Sequence, residues 1–71
     1  MTSEFSFPDM IRAIGSDADY RTALTVRLAA RTVGEQTLRQ LIAYARGRQT
    51  TIGHAMARKV LTDAGVSWEA L

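Results

Sequence analysis

Apolar residues in this chain recur every third or fourth position, and no segment alternates convincingly. Ile52, Met56, Val60 and Ala64 repeat at four-residue steps, with Leu61 beside them. Tyr20, Leu24 and Leu28 do the same, in a stripe widened by Ala23, Val26 and Ala30. Leu38, Leu41, Ile42 and Ala45 follow at steps of three and four. Such spacing puts side chains on one face of a helix, whereas a half-buried strand needs every second residue. Without a strand there is no sheet to pack on, so the core has to be helix against helix. The expected class is all-α, a compact bundle of about five short helices.

Local signals divide the helices. Ser6 precedes Phe7-Pro8-Asp9, a cap followed by a proline where its missing N–H costs nothing and an acid at the positive helix end. This first helix is expected to stop at Gly15, and Ser16 to cap a second that ends near Arg31. Thr32 and Glu35 have the spacing of a capping box, with Gly34 keeping the turn close. A third helix then runs to Gly47. Thr50 or Thr51 caps a fourth, which closes at Gly65 with Val66 folding back on Leu61. Ser67 starts a fifth, whose Trp68 and Leu71 would seal the core. The chain stops inside that helix, as the N-terminal piece of a longer protein would, or a domain whose packing a partner completes.

Seventy-one residues allow one domain, spanning 1–71, and bury only about 60% of the unfolded surface. There is no Cys, which excludes disulfides and thiolate metal sites. The apolar run 41–45 is too short to cross a bilayer, and no basic start precedes an apolar block, so a cytoplasmic chain without a membrane partner is expected.

Charge is strongly partitioned. Residues 1–19 carry four acids against Arg12, a net of −3. Residues 20–60 carry seven arginines and Lys59 against Glu35 alone, a net of +7. Residues 61–71 add Asp63 and Glu69. A basic middle between acidic ends is the footprint of a domain that presents one face to a polyanion. Eight of the nine basic residues are Arg, whose planar fork suits phosphate and guanine.

Catalytic chemistry has no constellation to rest on, so no enzyme, cofactor or metal is expected. The single His, His54, lies in a helix first turn without a second ligand at helical spacing. There it reads as a surface or phosphate-facing residue rather than an acid, base or metal ligand. Asp17 and Asp19 are explained by helix capping.

What remains is a helix suited to a groove. Two short helices meeting at Thr32-Val33-Gly34 form a helix-turn-helix pattern, and the second has a polar outer face and an apolar inner one. Gln36, Arg39, Gln40 and Ala43 are the candidates for reading bases. Gln pairs bidentately with adenine and Arg with guanine, each worth about 1–3 kcal/mol of discrimination. Arg27, Arg31, Arg46, Arg48, Thr50, Thr51 and Arg58 are the candidates for phosphates, the two threonines at the start of the fourth helix. The expected partner is double-stranded DNA.

The tail sharpens this. AGVSWEAL, with Gly65, Val66, Ser67 and Leu71, resembles the "LGVSxxEL" ending of the lambda-repressor/Cro-like DNA-binding domains of phage repressors. LIAYARGR resembles the end of that family's recognition helix and the "ERGxR" loop after it, with Leu41, Tyr44, Gly47 and Arg48 at the matching positions. The resemblance covers roughly residues 22–71 and implies five helices with a helix-turn-helix at the second and third. It implies sequence-specific repression of phage or prophage type. From turn to Gly47 this chain is slightly longer than the family. The family often dimerises through its fifth helix and beyond, where this chain ends, so the oligomeric state stays open. The alternative is a small helical protein-interaction module, such as a phage-encoded inhibitor, motivated by Trp68 and Leu71 at the abrupt end.

Overall fold

The computed structural model describes residues 6–69. Among them form four helices, α1 (Phe7–Ser16), α2 (Ala18–Ala29), α3 (Glu35–Ala45) and α4 (Ile52–Asp63). The radius of gyration, 11.5 Å, is close to the roughly 11 Å of a compact chain of this length.

α4 is the hub. It packs against each of the other three helices, while α3 touches α1 and α2 very little. The core is Ile14 from α1, Leu24 and Leu28 from α2, Leu41 and Ala45 from α3, and Ala57, Val60 and Leu61 from α4, none more than 2% exposed. A helix covered on three sides buries a wide face, so the buried side of α4 runs through Gly53, His54, Ala57, Val60 and Leu61. Its expected line through Ile52 and Met56 is turned outward: Ile52 is 62% exposed and Met56 half-buried. α2 corrects its expected stripe in the opposite sense. Only a narrow edge, Leu24 and Leu28, is buried, and Ala23, Val26 and Ala30 face solvent because α3 does not lie over them.

The helix ends decide how the elements join. Ser6 caps α1 as expected, accepting from the Asp9 N–H; its hydroxyl also donates to Asp9 Oδ2 at 2.9 Å, which holds that carboxyl below its ordinary range. α1 runs through Gly15 to Ser16, and Asp17, not Ser16, caps α2, accepting from Asp19 N at 3.0 Å and Tyr20 N at 3.1 Å. The Ser16 hydroxyl turns back to the Arg12 carbonyl. A carboxylate accepting two N–H groups at a positive helix end outcompetes a hydroxyl for that place.

The capping box at Thr32 does not form. α2 ends at Ala29, and the chain closes it with Thr32 N–H donating to Arg27 O and Arg31 N–H to Leu28 O, both at 3.0 Å. This closure needs a left-handed residue, here Arg31 with φ 61°. The Thr32 hydroxyl also donates to Arg27 O, and α3 starts only at Glu35, too far on for Thr32 to be its cap. Gly34 occupies that position with φ −58° and no side-chain bond; a Cβ there would meet nothing within 4 Å, so the turn does not require a glycine. The connection, residues 30–34, is therefore longer than the tight turn expected.

Arg31 carries the backbone strain of this turn. The left-handed region costs an L-residue about 1–2 kcal/mol, and glycine returns part of that to unfolded-state entropy. Arg31→Gly is expected to stabilise the domain by about 0.5–1 kcal/mol, read as a higher urea midpoint. An unchanged midpoint would show that the Arg31 Nη1 bond to Leu28 O, 2.9 Å, outweighs the strain.

α4 is capped by Thr51 and ends as expected: Gly65 is left-handed with φ 75°, and Val66 N–H donates to Leu61 O at 2.9 Å. The fifth helix is not found among the described residues. Residues 67–69 are irregular, and Leu71 lies outside the described residues. Trp68 instead folds across the end of α4: its Nε1 donates to Thr62 Oγ1 at 3.0 Å, its carbonyl accepts from Arg46 Nε at 2.8 Å, and the Arg58 guanidinium lies 5.7 Å from its ring centroid. These bonds satisfy the tail without a further helical turn.

Candidate nucleic-acid interface

α3 is held by one side. Leu41 and Ala45 are fully buried, and Leu38 and Ile42 pack half-buried beside them. On the opposite side Gln36, Arg39, Gln40 and Ala43 are all exposed. Offsets of three, four and seven put these four on a single stripe about two turns long. Arg39 is partnered: its Nη2 meets Glu35 Oε2 at 2.5 Å, with both side chains about three-quarters exposed at 76% and 75%. A pair so open to water contributes no more than about 1 kcal/mol, so the guanidinium is easily released.

The residues expected on phosphates fall into three groups. Arg27, Arg48 and Thr50 are exposed, and their side chains make no hydrogen bond or ion pair among the described residues. Arg31 and Arg46 are also exposed but tethered through one nitrogen each, Arg31 Nη1 to Leu28 O and Arg46 Nε to Trp68 O. The rest of each guanidinium faces solvent. Thr51, though exposed, and Arg58 are engaged with other groups of the chain. Thr51 Oγ1 accepts from His54 N at 3.2 Å and shares a 2.6 Å hydrogen bond with His54 Nδ1. Arg58 reaches under α3, donating from Nε to Ala45 O at 2.7 Å and from Nη2 to Gly47 O and Gln49 O. It ties down the loop after α3, and no phosphate role is needed to explain it.

His54 is corrected. It is 7% exposed, not at the surface, and lies stacked on Tyr44 with ring centroids 3.8 Å apart and planes 16° from parallel. Phe7 meets the same tyrosine edge-on at 6.0 Å. Gly53 makes room for this arrangement: a Cβ there would lie 2.9 Å from Tyr44 Oη and 3.0 Å from Ile11 Cγ2. Tyr44 and His54 thus fix where α3 ends, which is a positioning role. Ten residues apart on separate helices, they carry no spacing signal that could have paired them from the sequence.

A cleft of roughly 420 Å³ opens between the start of α1, α2 and the first half of α3, and it brings Arg27 and Gln40 together. Burial raises the Tyr20 phenol above its ordinary pKa, and the nearby Arg27 charge pulls it back. Among the described residues no three His, Cys, Asp or Glu side chains gather as a metal site, and no helix is long and apolar enough to cross a membrane. Compared with known proteins, the chain matches no family model, no curated protein and no solved structure.

Proposed function

We propose that the chain is a sequence-specific double-stranded DNA-binding domain acting as a transcriptional repressor of the phage type its tail resembles. In this reading α2, the turn and α3 serve as a helix-turn-helix, with α3 in the major groove. The supporting observation is the exposed stripe Gln36–Arg39–Gln40–Ala43 on a helix anchored from behind. An α-helix is about 10–12 Å across and the groove about 12 Å wide, so one helix fits. Gln36, Gln40 and Arg39 supply the donors that adenine and guanine accept, and Ala43 leaves the backbone close to the bases. Arg27, Arg31, Arg46 and Arg48 flank the stripe in sequence on both sides of α3 and would neutralise phosphates.

The test is binding to duplex DNA across a salt series. Four phosphate contacts predict a log–log slope of about −3.6. Arg48→Ala should weaken all sequences alike and make the slope shallower by about 1. Arg39→Ala should cost about 1–3 kcal/mol on the preferred site and little elsewhere. A flat salt dependence, or no binding to any duplex in a randomised pool, would overturn the reading.

The second reading, a protein-interaction module, draws on the outer face of α2. Ala23, Val26 and Ala30 share that face and Val26 is 62% exposed. Absence of DNA affinity at moderate salt would favour it. Under the DNA reading, Val26→Glu leaves the preference for the best site intact.

A further inference from the structure

We infer that the cleft between α1, α2 and α3 binds a small carboxylate carried on an aryl or similarly flat apolar body. Its walls are Phe7, Met10, Tyr20, Leu24 and Val33. Its polar groups are Arg27, Thr37, Gln40 and Ser6, and Arg27 is the only charged side chain on its described lining. That sets it apart from the other surface depressions. One holds Glu35 paired with Arg39, and another holds Lys59 paired with Asp63 beside Arg21, whose Nη1 is taken up by the Ile14 carbonyl. Here an arginine that pairs with no acid among the described residues stands beside aromatic and thioether side chains. The roughly 420 Å³ volume lies within the range of about 300–1,000 Å³ typical of small-molecule sites, which combine apolar walls with a few convergent polar groups.

The chemistry selects the ligand. A guanidinium fork binds a carboxylate through two parallel N–H donors, better than it binds a neutral amide. The aromatic and thioether walls favour a flat ring over a branched chain. Inorganic phosphate would satisfy Arg27 but leave the walls wet. The site also bears on the DNA reading, on which this one consequence rests: Arg27 and Gln40 belong to both, so a bound carboxylate should weaken DNA binding, and DNA should weaken the carboxylate equally.

The experiment is an amide-resolved NMR titration of the full chain without DNA, using 3-phenylpropionate, its neutral amide, acetate and inorganic phosphate. The expected result is saturable binding of 3-phenylpropionate with Kd on the order of 1 mM, as suits a ligand of this size. Shifts should centre on Tyr20, Leu24, Arg27 and Thr37. The neutral amide should bind about tenfold more weakly, and acetate and phosphate should not saturate. Arg27→Gln, which is exposed and leaves the core untouched, should erase the preference for carboxylate over amide. No saturation by 3-phenylpropionate, equal affinity for its amide, saturation by phosphate alone, or shifts centred elsewhere would each overturn the proposal. Because DNA is absent, a carboxylate that binds to a protein with no DNA affinity would refute the DNA reading and leave this site standing.

Discussion

Arg58→Met is expected to lower stability by about 2–4 kcal/mol while leaving the salt slope of DNA binding unchanged. The last carbonyls of a helix have no partner within it. In this protein the Ala45, Gly47 and Gln49 carbonyls accept from the Arg58 guanidinium, so one side chain from α4 closes the end of α3 and the loop behind it. Bonds to a charged donor are worth about 1.5–3 kcal/mol each, but those near the surface are partly replaced by water, so the sum is not lost. Methionine keeps much of the apolar stem and removes the donors. Against a total stability of roughly 4–10 kcal/mol for a chain this long, the loss is large. Urea unfolding measures it. An unchanged midpoint together with a shallower salt slope would return Arg58 to the phosphate contacts.

Gly53→Ala is expected to cost about 1–3 kcal/mol, although alanine is the better helix former. The new Cβ would sit 2.9 Å from Tyr44 Oη and 3.0 Å from Ile11 Cγ2. Tyr44 has little room to give, with His54 stacked on its face and Phe7 against its edge. Relief therefore means opening the stack or shifting α1 from α4. Gly15→Ala is the internal control on the same helix crossing. Its Cβ would meet Ile52 Cγ2 at an ordinary 3.5 Å, so the propensity gain should leave it neutral or up to about 1 kcal/mol more stable. Equal urea midpoints for the two variants would show that the close approach at Gly53 carries no strain.

Both predictions rest on contacts between residues distant in the sequence, where reading from sequence alone falls short. The helical spacing of apolar residues was legible because it is a property of a single helix. So was the cap at Ser6, the glycine stop at Gly65 and the polar stripe of α3. Local competition was harder. Ser16 and Asp17 both have cap chemistry, and Thr32 could serve the helix before it or the one after. The Thr32 hydroxyl went to α2 because that helix closes through a left-handed Arg31, a conformation that no residue preference announces. The fifth helix was expected from Ser67 and is absent over residues 67–69, where bonds from Arg46 and from Trp68 to Thr62 hold the tail instead.

The candidate site divides in the same way. Gln36, Arg39, Gln40 and Ala43 were recognisable together because their offsets alone put them on one face. Arg58, Thr51 and His54 were not separable from the surface residues around them. An arginine reads the same whether it meets a phosphate or a carbonyl thirteen residues away, as Arg58 does with Ala45.

The sequence by itself determined that the chain is helical, that α1 is capped by Ser6 and α4 closes at Gly65, and that positive charge gathers in its middle, since spacing, capping and charge act within a few residues. Only the tertiary structure decided that α4 is the hub, that Arg58 and His54 turn inward, and that Arg27 lines a cleft with Phe7, Met10 and Tyr20. Those outcomes depend on which helices meet, and the side chains follow whichever burial leaves the fewest polar groups unpaired.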